Sequence, residues 1–279
     1  MAIAQIPAQQ DVQDIEPIGA EFNTGGLGIS GGVDFTHAYY FRGIIQEDDG
    51  LIVQPYLEVG IDVAETDDVT VGAAVGIWNS IHDEDTGSDG DGPESWYESD
   101  VYAGLSFGFG DFSADVIYTI YTSPNNAFST VQELGFGLAY AGAIEGDGVN
   151  FTYEVGAGLF FELDNSAFGP EEGIYAELGF TPGFEIEFSD TFSLPIEVPF
   201  VVGLNVDDYY DDGTDDDTFG YVSVAVATSI PLEFIPEKYG AWSASASLKY
   251  LYLASDLLED ANDGDESEFI GTVGISFEY

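Results

Sequence analysis

An all-β fold, an antiparallel up-and-down transmembrane β-barrel of about twelve strands, is predicted by three features of this 279-residue chain. From Leu27 to the last residue, apolar side chains alternate with polar residues or glycine, so one face of each segment is apolar and the other is not. The segments are long, commonly 12 to 17 residues, whereas strands of soluble proteins average about five or six. The connectors alternate between short and long, as in a barrel with tight turns on one rim and extended loops on the other.

Composition narrows the choice. Against 53 Asp and Glu stand 3 Lys and Arg, a net charge of −50, so nucleic acid is no partner: phosphate binding needs a basic footprint. With no cysteine, disulfides and thiolate metal sites are excluded. Disorder is excluded by 45% hydrophobic residues, with 17 Tyr and 21 Phe. No apolar run is long enough for a membrane-spanning helix.

Along the chain, Ala2-Ile3-Ala4 reads either as the stub of a secretory signal or as an arbitrary small-residue start. Residues 1–25, with Pro7 and Pro17, form this stub and a polar tail; residues 26–279 form one barrel domain. Its strands are expected near 27–43, 51–65, 69–82, 95–110, 112–123, 131–145, 148–164, 173–189, 192–208, 218–230, 240–255 and 268–279. The alternation is clearest in Ile174, Ala176, Leu178, Phe180, Phe184, Ile186 and Phe188, whose odd neighbours include Tyr175, Glu177, Gly179, Glu185 and Glu187. In the eleventh segment the polar face is Ser243, Ser245, Ser247 and Lys249. Tyr39, Phe109, Phe112, Phe161, Phe188, Phe192 and Tyr252 sit near segment ends on the apolar face, as interfacial girdles require. Pro195 and Pro199 fall inside the ninth segment, where a missing N–H demands a bulge or an edge. Val273, Ile275, Phe277 and Tyr279 alternate up to the terminal residue. Such an ending is similar to the signal that outer-membrane barrels present to their assembly machinery, and Phe277 and Tyr279 would carry it. An even strand number places both termini on the short-turn, periplasmic side.

The run His37-Ala38-Tyr39-Tyr40-Phe41-Arg42-Gly43-Ile44-Ile45-Gln46, followed by Gln54-Pro55, resembles the TorF-like porin family of Gram-negative bacteria, in which an aromatic-Arg-Gly-Ile-Ser-Gln segment closes the first strand. Ile45 replaces the usual Ser, and the acidic excess is greater than the family's. The resemblance covers two strands by motif and implies an outer-membrane barrel.

With the apolar face on lipid, the lumen receives Asp34, Glu58, Asp62, Asp115, Glu133, Glu154, Glu162, Glu177, Glu185, Glu197 and Glu278. The bases facing them are Arg42 and Lys249, while Lys238 falls in a turn. A bare buried carboxylate is costly, so the lumen is expected to be wet, counter-ion filled or protonated, the first being cheapest. A wet acidic bore would pass small cations or solutes and repel anions. Arg42 would either oppose these acids across the bore or tie down its own loop by one salt bridge. Inward glycines would widen a bore that twelve strands leave intermediate in size.

The loops hold further acids. Asp83, Asp85, Asp211, Asp212 and Asp215 could hold calcium, although none fits the EF-hand spacing, and a solvated acidic surface explains them more simply. No other cofactor is expected. His82, beside Asp83 and Asp85, faintly resembles the His and Asp arrangement of omptin-type proteases, but a rim histidine among acids is more often solvated. No catalytic residue is assigned and an enzyme is not expected. The expected function is cation-preferring diffusion across the outer membrane. The alternatives are a non-conducting adhesive or structural barrel with acidic loops, or a soluble acidic β-barrel from a saline habitat.

Overall fold

A computed structural model describes residues 26–279 except 67, 87–91, 93, 94, 147, 148, 190, 191 and 215. The proposed signal stub and tail lie outside the described residues. The elements in chain order are β1 (Leu27–Thr36), β2 (Tyr39–Phe41), β3 (Ile44–Glu47), β4 (Ile52–Glu65), β5 (Thr70–His82), β6 (Ser95–Phe109), β7 (Phe112–Thr122) and β8 (Val131–Gly146). They continue with β9 (Val149–Asp164), β10 (Ile174–Ser189), β11 (Phe192–Glu197), β12 (Phe200–Asp207), β13 (Phe219–Pro231), β14 (Ala241–Leu253), helix α1 (Asp256–Ala261) and β15 (Ser267–Glu278).

Neighbouring wall strands pair antiparallel in sequence order, and β15 returns to β1 in a register running from Ser30↔Glu278 to Thr36↔Thr272. This seam closes the barrel and leaves no edge. β11 and β12 are two halves of one strand, both paired with β10 and separated at Val198-Pro199. Counted as one, they give a closed wall of twelve strands. The interruption is the answer to the prolines: Pro199 cannot donate, and the ladder is carried across the gap by Val198 N–H to Pro182 O (2.9 Å) and Ala225 N–H to Pro199 O (2.9 Å).

Strand length suits a bilayer. The 13 residues of β5, at about 3.3 Å each and tilted by about 40°, rise roughly 33 Å, more than the ~25 Å apolar band of such barrels. Leu57, Val101, Leu138, Leu178, Leu248 and Val273 all stand on the outer face, Leu138 with 64% of its surface exposed. A soluble protein does not leave so continuous an apolar band bare. The opposite parity faces inward: Glu58, Asp115, Glu133 and Glu177 are all buried.

Two expectations are corrected. The first segment is not one strand from 27 to 43. It ends at Thr36, whose hydroxyl donates to Ala38 O (2.9 Å) and turns the chain inward, and residues 39–47 form a separate hairpin, β2–β3, paired only with itself. Tyr39 consequently belongs to the interior, not to the aromatic girdle: its hydroxyl donates to Glu98 (2.9 Å) and its ring packs on Trp78. The hairpin turn is made by Arg42 (φ 50°) and Gly43 (φ 83°), left-handed at both central positions as a type I′ turn requires. Glycine is needed at the second, where a Cβ would also lie 2.9 Å from a Leu258 methyl. Arginine at the first is an uncommon choice, and its side chain explains the exception.

Candidate functional site

Arg42 is carried by the turn into the centre of the long-loop half of the barrel, where it is almost fully buried. Its guanidinium donates to both oxygens of Glu133 on β8 (2.6 and 2.9 Å) and to the Tyr209 hydroxyl (3.1 Å). Phe41, Phe160, Tyr175 and Tyr209 surround it with ring faces 4.3–5.3 Å from the guanidinium carbon. Burial opposes the charge, but Glu133, Tyr209 and Tyr121 outweigh it and hold the guanidinium pKa above its ordinary value. Of the two roles read from sequence, the geometry matches the tie: Arg42 and Glu133 neutralise one another, so little field is left to cross the bore.

The backbone of the turn is held just as closely. The Tyr210 hydroxyl donates to Arg42 O (2.8 Å), and Asn262, at the end of α1, donates to Gly43 O (2.9 Å) and accepts from Ile45 N–H (2.6 Å). Asn205 on β12 receives the Tyr209 N–H (2.9 Å) and so sets the loop that supplies both tyrosines. Burial raises the pKa of the Tyr209 and Tyr210 hydroxyls, which keeps them protonated and able to donate. The hairpin, the 208–218 loop and α1 therefore form one packed stopper. It rests on inward Phe160, Tyr175, Tyr221, Leu251, Leu253 and Ile270.

Acids outnumber bases, but the bases are not the only donors. Glu162 accepts from the N–H groups of Ala167 and Gly173 (2.7 and 2.8 Å), which pins the 165–173 loop. Glu177 accepts from the hydroxyls of Tyr175 and Tyr221 (2.8 and 3.1 Å), and Glu133 also from Tyr121 (3.0 Å). Tyrosine hydroxyls and loop amides thus supply hydrogen bonds to these carboxylates, while Glu177 Oε1 is buried without one.

The short-turn half differs. Glu154, Glu185 and Glu187 face inward and are exposed, Glu197 is half-buried, and Asp62 and Glu278 are exposed at the rim. Glu154 lies within electrostatic reach of Asp115 and Glu197. Ser243, Ser245, Ser247 and Lys249 line the same bore from β14, and Asp34 lies against Gly274 at the β1–β15 seam. The result is an exposed acidic half at the short turns beneath a packed half at the long loops. Glu58, buried on β4, belongs to the wall between them.

His82 is not a solvated rim residue. It points inward at the end of β5, almost fully buried, with its ring stacked on Tyr97 (4.8 Å) and its Nε2 2.7 Å from the Ser80 hydroxyl. Its Nδ1 stands 3.9 Å from Glu47 of the hairpin. Burial raises the Glu47 carboxyl above its usual pKa. Ser80, His82 and Glu47 thus stand in a line that bridges wall and hairpin. Sequence reading missed it because Glu47 arrives from a hairpin that reading did not foresee.

Several described loop acids accept hydrogen bonds from their own or adjoining turns. Asp83 accepts from Leu51 N–H (2.5 Å), Asp211 from Gly213 N–H (2.6 Å), and Asp212 from the Thr214 N–H and hydroxyl (2.7 and 2.6 Å). Asp85 is exposed, and Asp215 lies outside the described residues. Among the described residues no three acidic or histidine side chains are grouped as a metal site would need.

No protein-family model and no curated protein sequence matches the chain. Solved structures do. An outer membrane channel from Pseudomonas putida F1 superposes with a TM-score of 0.56 at 12% identity, over 96% of this chain and 100% of that one. LpxR from Salmonella typhimurium gives 0.50 at 11% identity, over 89% and 99%. Outer membrane phospholipase A from Escherichia coli gives 0.45 at 10% identity, over 89% of both chains. The TorF-like resemblance gains support for its barrel and for nothing finer. The expectation that the protein is not an enzyme is overturned as an inference from fold, because LpxR is an enzyme on this same architecture. At these identities the likeness is one of fold, and in fold the chain is a closed twelve-stranded antiparallel β-barrel of the outer-membrane kind.

Proposed function

We propose that the protein is an outer-membrane channel for small cations, held closed at its outer half by its own β2–β3 hairpin. The single observation that carries this reading is the division of the interior into an exposed half containing Glu154, Glu185 and Glu187 and a buried, packed half centred on Arg42. Carboxylates facing water inside a low-dielectric wall concentrate cations and repel anions. The bare apolar outer band speaks against the soluble alternative. Leu27, where β1 begins, and Glu278, where β15 ends, lie at the short-turn end, which in this reading faces the periplasm.

Planar-bilayer recording tests it. The intact protein should give small or infrequent conductance steps, and a variant lacking residues 38–50 should give large, steady ones with a reversal potential shifted toward potassium. A silent deletion variant that is folded, or one preferring chloride, would overturn the proposal and favour an adhesive or structural barrel.

A second reading rests on Ser80, His82 and Glu47, whose order matches a nucleophile, a base and an orienting acid. A fluorophosphonate probe should then label Ser80 in the full chain and not in Ser80→Ala. Absence of label on the native chain removes this reading.

A further inference from the structure

A groove of about 560 Å3 opens on the outer wall at the short-turn end, walled by Ile29, Ile235, Tyr239, Trp242, Phe277 and Tyr279. Its volume lies within the range of ordinary ligand sites, about 300–1,000 Å3. Residues 232–240, which overhang it, form the longest connection on this rim. They are too apolar for a solvated turn: Phe234 is 80% exposed, and Tyr239 and Tyr279 are exposed as well. Trp242 stacks on Phe277 (5.2 Å) and donates its indole N–H to Tyr239 O (2.9 Å), so the groove wall is fixed in place.

Charge singles out the same spot. The chain has 3 basic residues. Arg42 is buried in the stopper and Lys249 faces the lumen, so Lys238 alone presents a basic side chain to the outside. Its ammonium sits 4.7 Å above the ring of Tyr239, one of the groove walls. Glu237 and Glu233, both exposed, flank it on the same turn. One cation between two anions, at the mouth of an apolar slot on a membrane-facing wall, matches a zwitterion better than an anion. A net charge of −50 adds a general repulsion against anionic lipid.

We propose that this groove holds one zwitterionic phospholipid, an acyl chain lying along Ile29, Trp242 and Phe277, the phosphate on Lys238 and the headgroup ammonium on Glu233 or Glu237. Tyr279 and Ile29 exchange both backbone hydrogen bonds (2.8 Å each) directly beneath the slot, so the lipid would sit over the β1–β15 seam. The site is independent of conductance and stands or falls apart from the channel reading.

Native mass spectrometry from micelles containing equal amounts of phosphatidylethanolamine and phosphatidylglycerol tests it. The folded protein should keep one phosphatidylethanolamine in preference to phosphatidylglycerol. Lys238→Glu should reduce that retention about fivefold, and Ile235→Trp, which fills the slot, should abolish it. Both substitutions lie in an exposed turn, and a heat-modifiable gel shift confirms that each barrel is folded. Equal retention by the native protein and both variants, or a preference for phosphatidylglycerol, would refute the assignment.

Discussion

Arg42→Ala is expected to convert a nearly closed barrel into one that conducts steadily, with the open probability rising toward that of the hairpin deletion. The side chain binds β8, the 208–218 loop and its own ring cage at once, so its loss frees the stopper at its centre. It also strands Glu133 without its charge partner, and truncating one member of a buried ion pair costs about 3–5 kcal/mol. The same variant should therefore lose its folded, heat-modifiable gel form at a lower temperature. Arg42→Lys should not restore closure, because an ammonium cannot reproduce two parallel bonds to Glu133 together with stacking on Phe160 and Tyr175. Single-channel recordings of the two variants check the claim. Native-like closure in Arg42→Ala would mean that α1 and the tyrosine loop hold the stopper unaided.

The second large effect concerns selectivity. In the hairpin-deleted barrel, replacing Asp115, Glu154 and Glu197 by their amides should bring the potassium-to-chloride permeability ratio down roughly eightfold. A unit charge acting at ~8 Å through water, screened over about 10 Å at 0.1 M salt, favours the cation and disfavours the anion by about 0.25 kcal/mol each, together roughly a factor of two in the ratio for each carboxylate. Reversal potentials under a salt gradient give the ratio directly. The difference between the two barrels should also shrink in 1 M salt, where screening acts over about 3 Å. An unchanged ratio at low salt would place the selective charges elsewhere.

The wall was readable because its chemistry repeats: lipid on one side and lumen on the other force a period that no loop interrupts for long. The stopper was not, because its residues imitate that period. Tyr39-Tyr40-Phe41 and Ile44-Ile45 look like the end of a lipid-facing strand, and nothing local says that they turn inside. A trace existed on the lumen face. In β14 the inward series runs Ser243, Ser245, Ser247, Lys249 and then Leu251, Leu253, and this change from hydroxyl to isobutyl marks where the packed half begins. Tyr209 and Tyr210, set in an otherwise acidic loop, carry a similar message, since two large rings have no reason to stand together in solvent. Counting acids against bases left out other donors: Tyr175, Tyr221 and the Gly173 amide donate to carboxylates, and sequence does not reveal which distant hydroxyl will meet which acid.

The stopper hangs from the far end of β1, the strand whose pairing with β15 joins the two extremes of the chain. Contacts between such remote segments form late, after nearer hairpins have zipped. Arg42 meets Glu133 inside the wall that β1 and β15 close. In the closed-channel reading, the strand that completes the cylinder also carries its plug.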